Sequence, residues 1–124
     1  MKHAIVWIDH SHATVIGLGA PDADDHETHH VARGTGQRHA HAGSPAVDHS
    51  YWDAVVAALG TASEVIVAGP GQEKQAFVRD LGKRHAAVAR RVVAVETLDH
   101  PTEGQLLAHA RRAFKRVDAL IGDR

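Results

Sequence analysis

Apolar positions along the chain follow two different periods. Ala4-Ile5-Val6-Trp7-Ile8-Asp9 and Ala13-Thr14-Val15-Ile16-Gly17-Leu18 are short runs rich in β-branched residues, parted by the polar His10-Ser11-His12. Two strands this close together predict an antiparallel hairpin. Gly19 to Asp25 reads as an acidic turn containing proline, and His26 to Arg33 as a third strand, polar and therefore at an edge or half exposed. Its alternation puts His26, Thr28 and His30 on one face and His29 and Val31 on the other.

Beyond residue 48 the helical period takes over. Ser50 is placed to cap a helix on which Trp52, Val55, Val56 and Leu59 form a buried face. Val65-Ile66-Val67-Ala68 has no polar alternation, the mark of a strand buried on both faces in a parallel sheet. Gly69-Pro70-Gly71 breaks it, and Phe77, Val78 and Leu81 fall at helix-face spacing in a helix ending near His85. Arg91-Val92-Val93-Ala94-Val95-Glu96 reads as another buried strand. Pro101 and Thr102 open a last helix, with capping-box spacing in Thr102-Glu103-Gly104-Gln105. Leu106, Leu107, Ala110, Phe114 and Val117 make its apolar stripe, and Arg111, Arg112, Lys115 and Arg116 mostly make its solvated face.

The element order is βββ-α-β-α-β-α. Right-handed crossovers set the later strands beside the first, which predicts the sheet order 3-2-1-4-5. That is an α/β, ribonuclease H-like arrangement: a mixed five-stranded sheet of three antiparallel strands and then parallel βα units, with helices on both faces. Residues 1–124 read as a single domain. Gly34 to Asp48, rich in Gly, Ala and His and without apolar periodicity, reads as a mobile loop.

Composition removes several function classes. The 124 residues allow one domain with one real core, and a net charge of -1 gives no global basicity for nucleic acid, leaving only a local patch. With no cysteine there is no disulfide framework and no thiolate metal site. No apolar run approaches the roughly 20 residues of a membrane span. The start, Met1-Lys2-His3, lacks the long apolar stretch of a signal peptide, so a cytoplasmic protein is expected. The 12 histidines are the one outlying count.

Candidate chemistry is sparse. A two-metal nuclease on this topology needs clustered carboxylates. Asp9 and Asp53 suit two positions, but the fourth strand ends in Ala68-Gly69 where an acid is wanted, with Glu96 and Asp99 closing the fifth strand instead. His26 and His30, with His39 and His41, have ligand-type side chains, yet a mobile loop does not converge them, and no metal site is assigned. No Gly-x-Ser-x-Gly elbow is present, and 4% aromatics do not make a stacking platform. Gly69, Gly71 and Lys74 form a tight βα turn whose free N–H groups suit an anion. The spacing is neither a P-loop nor a dinucleotide fingerprint. Arg33-Gly34-Thr35-Gly36-Gln37-Arg38-His39 displays a glutamine between basic residues on a Gly-rich turn, able to approach RNA phosphate and set an amide beside a reacting ester.

Three segments together resemble the central domain of the archaeal and eukaryotic class-1 peptide-chain release factors and of Pelota. They are Tyr51 to Leu59, Glu64 to Phe77 with its Gly-Pro-Gly turn, Lys74 and Phe77, and Val92 to Thr97. Ala4 to Leu18 is similar to that domain's opening hairpin, and to small bacterial "translational machinery" proteins consisting of this domain alone. The resemblance spans about residues 3 to 115. It implies a translation-associated factor that binds the ribosome or tRNA. In release factors the loop after the third strand carries a Gly-Gly-Gln tip that promotes peptidyl-tRNA hydrolysis. Here Gly36 and Gln37 match that tip, while Thr35 interrupts the glycine pair. Pelota lacks the tip and rescues stalled ribosomes without hydrolysis, so a non-catalytic RNA- or protein-binding module is the first alternative and a His-rich metal-binding protein the second. If the loop acts on RNA, Arg33, Gly34, Arg38, His39 and His41 make its contacts. No cofactor is implied, and a homodimer stays open. The chain has no room for the other two domains of a complete release factor.

Overall fold

The computed structural model describes residues 1–19, 24–34 and 49–121. The strands are β1 (His3–Ile8), β2 (His12–Leu18), β3 (His26–Ala32), β4 (Glu64–Gly69) and β5 (Val92–Thr97). The helices are α1 (His49–Leu59), α2 (Glu73–Arg84), the single turn α3 (Ala86–Ala89) and α4 (Glu103–Ile121). They build one five-stranded sheet in the expected order β3-β2-β1-β4-β5. The hairpin pairs His3 with Leu18 and Ile8 with Ala13. β2 and β3 are antiparallel, whereas β4 runs parallel to β1, with Ile5 opposite Ile66.

Every residue of β1 and β4 is buried because both faces of the sheet are covered. Ala4, Val6 and Ile8 face Tyr51, Trp52, Val55 and Leu59 of α1 and Phe77 and Leu81 of α2. Ile5 and Trp7 point the other way, against Leu106, Ala110, Ala113 and Phe114 of α4. The 3.6-residue period on the helices and the unbroken apolar runs on the central strands are therefore two readings of one three-layer core. Thr102 and Gln105 exchange the two bonds of a capping box, Gln105 N to Thr102 Oγ1 at 3.0 Å and Thr102 N to Gln105 Oε1 at 2.9 Å.

Four details depart from the sequence reading. β3 stops at Ala32, so Arg33 lies just past the strand. α1 already includes His49, which puts Ser50 inside the first turn instead of ahead of it. α3 is an extra turn between α2 and β5. β5 is half exposed, not buried: Val93 and Val95 are 38% and 44% exposed. It is the edge strand, the helices lie over the central strands, and a register shift between Val65 and Ile66 turns its apolar residues off a single face. β3, the other edge, carries the polar residues expected of it.

Candidate functional site

Ligands of open α/β sheets bind beyond the carboxyl ends of the parallel strands. Here that end is formed by Ile8-Asp9 after β1, the Gly69-Pro70-Gly71 turn after β4 and the residues flanking segment 35–48. Gly69 is buried, and a Cβ there would lie 2.2 Å from the Ile8 carbonyl oxygen. Only glycine lets the turn come this close to β1. Gly71 has open space around it. Lys74 is buried and its ammonium donates to the Gly71 carbonyl at 2.6 Å, which ties the first turn of α2 to the Gly-Pro-Gly bend.

Arg33 stands at the exit from β3, just ahead of Gly34. Its Nε donates to the His10 carbonyl at 2.6 Å and its Nη2 to Glu73 Oε2 at 2.8 Å. The guanidinium carbon sits 4.4 Å from the centre of the Tyr51 ring, a cation–π stack. The same Glu73 oxygen accepts the Trp52 indole N–H at 2.8 Å, and the Tyr51 hydroxyl donates to the Asp9 carbonyl at 2.8 Å. Burial, with the Glu73 charge adding to it, pushes the Tyr51 phenol well above its ordinary range, so it stays a neutral donor. The exit from β3, the start of α1, the start of α2 and the end of β1 thus meet in one polar knot, and Gly34 stands exposed at its rim.

Asp9 closes the β1–β2 turn. Its Oδ1 accepts Ser11 N and His12 N, each at 2.9 Å, and Ser11 Oγ at 3.1 Å. Burial alone would raise its pKa, but the His12 and Ser11 backbone bonds outweigh that and hold the carboxyl below its usual range. The other acids considered for a nuclease are dispersed. Asp53 binds Arg84 and His85 on the far side of α1, Glu96 takes His109 at 2.6 Å, and Asp99 is exposed beside His100. Among the described residues no group of three or more His, Asp or Glu placed to hold a metal ion includes Asp9.

On the other face of the sheet, Trp7 Nε1 donates to the Leu98 and Asp99 carbonyls at 3.2 and 2.8 Å, fixing the segment after β5. His12 and His100 flank that indole, with ring centres at 5.3 and 5.0 Å. β3 alternates as expected. His30 pairs with Glu103 on the α4 side, Val31 packs toward α1, and His26 Nδ1 meets the Asp24 carbonyl. His26, His29 and His30 do not converge on one point. Of the residues singled out from sequence, Gly36, Gln37, Arg38, His39 and His41 lie outside the described residues, as does almost all of the Gly34–Asp48 segment. Glu73 and Tyr51 were not singled out. Their role comes from contacts across 40 and 42 residues, and no local spacing signals it.

Neither a protein-family model nor a curated protein matches the sequence. Solved structures that match in shape include two Pelota proteins. Pelota of Archaeoglobus fulgidus superposes with a TM-score of 0.70 at 18% identity, over 97% of this chain and 34% of its own. Pelota of Thermoplasma acidophilum gives 0.58 at 17% identity, over 92% and 38%. The chain has the fold of about a third of Pelota. The Pelota likeness extends over nearly the whole chain, so the sheet and the helices on both of its faces belong to the shared fold.

Proposed function

We propose that this chain is a translation-associated domain that binds the ribosome or tRNA through segment 34–48. The observation that carries this reading is the Pelota match over 97% of the chain, together with the sequence resemblance of the Gly-Pro-Gly region to the same domain. The polar knot supports it. Arg33, Tyr51, Trp52 and Glu73 tie the exit from β3 to the starts of α1 and α2 at the carboxyl edge of the sheet. The exit from β3 and the start of α1 are the two places that segment 35–48 connects; Gly34, Gly36, Gln37, Arg38, His39 and His41 are the proposed contact residues. Arg33, Arg38, His39 and His41 supply positive charge for phosphate. Association weakens as salt rises, and is weaker at pH 8 than at pH 6, because neutral imidazole loses its charge.

Within this reading Gln37, next to Gly36, is the candidate for orienting the attack on a peptidyl-tRNA ester. Thr35, in place of a glycine, and the Pelota neighbours favour the second form, a binding module that hydrolyses nothing. Single-turnover peptidyl-tRNA hydrolysis on ribosomes, with wild type and Gln37→Ala, separates the two. Activity lost in the variant supports the catalytic form, and wild-type inactivity alongside ribosome binding supports the binding form.

A further inference from the structure

At the amino end of the parallel strands, opposite the polar knot, His3 is buried among groups that leave its ring half used. It is 1% exposed. Its Nδ1 is 2.9 Å from the Gly19 carbonyl. A carbonyl only accepts, so Nδ1 carries the proton, and in the neutral ring Nε2 is then a lone pair. That nitrogen faces two carboxylates, Glu64 Oε1 at 3.2 Å and Asp118 Oδ2 at 3.3 Å. Neither Nε2 nor Glu64 Oε1 has a hydrogen-bond partner. The ring is held in place by Phe114, whose centre is 4.7 Å away.

We propose that His3, Glu64 and Asp118 bind a divalent transition-metal ion of the zinc type. Three acceptor atoms from β1, β4 and α4 converge within 4.8 Å of one another. For bonds of about 2.0–2.1 Å around tetrahedral zinc, neighbouring ligand atoms stand roughly 3.3 Å apart. The two nitrogen–oxygen separations match that edge, and exceed the ~2.7–2.9 Å of a charge-assisted hydrogen bond. A histidine whose Nδ1–H is tied to a backbone carbonyl is the usual outer-shell arrangement for metal at Nε2. Two carboxylates and one neutral imidazole balance a dication in charge, and one imidazole with two carboxylates suits zinc in donor type. Asp118 is the outermost of the three, with 39% of its side chain exposed, so the ion enters from its side and water takes the fourth position. Bound there, the ion clamps the last turns of α4 to the starts of β1 and β4.

The test is titration of the chelator-treated full chain with zinc chloride, read by calorimetry and thermal unfolding. Because the chain has 12 histidines, weak binding elsewhere is separated by variants. Wild type is expected to bind one tight equivalent and to unfold at a higher temperature with zinc. Asp118→Asn, on the exposed side of the site, folds and loses more affinity than the roughly 10–100-fold cost of an outer-shell partner. His3→Gln loses the tight equivalent as well. A variant with His39 and His41 both changed to Ala retains it, and cobalt in the wild type gives tetrahedral visible bands that Asp118→Asn lacks. Wild type without a tight equivalent, undiminished affinity in Asp118→Asn, or loss in the His39/His41 variant instead would each overturn the assignment.

Discussion

Arg33 and Glu73, 40 residues apart, are joined at 2.8 Å, and the Trp52 indole shares the same carboxylate oxygen. The pair is partly buried, so its value lies mostly in what would be left unmade if one partner went. Glu73→Ala strands the Trp52 N–H and removes the carboxylate partner of Arg33, whose bond to the His10 carbonyl remains, and is expected to cost about 1–3 kcal/mol. Glu73→Gln, which still offers an oxygen, costs less. Urea denaturation of the two variants beside wild type measures the difference, and equal stabilities would show that the knot does not stabilise the fold.

Gly69 and Gly71 provide an internal control for the turn. A methyl at Gly69 overlaps the Ile8 carbonyl and a methyl at Gly71 meets open space. Gly69→Ala should lose at least about 1–3 kcal/mol by overpacking, while Gly71→Ala stays within about 0.5 kcal/mol. Midpoint shifts in a guanidinium melt decide between these outcomes.

Phe77 is fully buried between α2 and the sheet. Phe77→Ala is expected to destabilise by about 3–5 kcal/mol, and Trp52→Ala by a similar amount including its lost bond to Glu73. A chemical melt showing less than about 1 kcal/mol for either would mean that the core is not packed as described.

Arg84 brackets Asp80 with bonds of 2.8–3.1 Å and reaches Asp53 at 2.6 Å, pinning α1 to α2. Hydrogen bonds from Arg84 are the main cause that lowers both carboxyl pKa values. A carboxyl whose folded pKa is depressed stabilises above its unfolded pKa of about 3.9 and loses that contribution as pH falls through the folded value. Stability is therefore expected to drop below about pH 4, and Asp80→Asn to flatten that drop while weakening the protein at pH 7. Urea midpoints between pH 2.5 and 7 report both effects.

The sheet order was readable because each connection has a physical signature. Three residues between Asp9 and Ala13 can only make a hairpin, while a helix between two apolar runs forces a parallel crossover. The exposure of β5 was less readable: Val92, Val93 and Val95 look like a buried strand, and only edge position with a register shift shows otherwise. Gly69 announced the turn, but Glu73, Tyr51 and His3 gain their roles from partners far along the chain, which local spacing does not encode. The histidines that crowd β3 have ligand-type side chains at strand spacing, yet they diverge. His3, hidden in the first apolar run, meets two acids brought from β4 and α4.

The central claim is that segment 34–48 carries this domain onto ribosomes or tRNA. Co-sedimentation of purified ribosomes with wild type and with a variant lacking residues 35–42, at low and high salt, addresses it most directly. Wild type should pellet with ribosomes at low salt and be released as salt rises. The deletion, which leaves Arg33 and Glu73 in place, should fold normally yet lose most of that association. Absence of wild-type binding, or full retention by the deletion variant without salt dependence, would contradict the account.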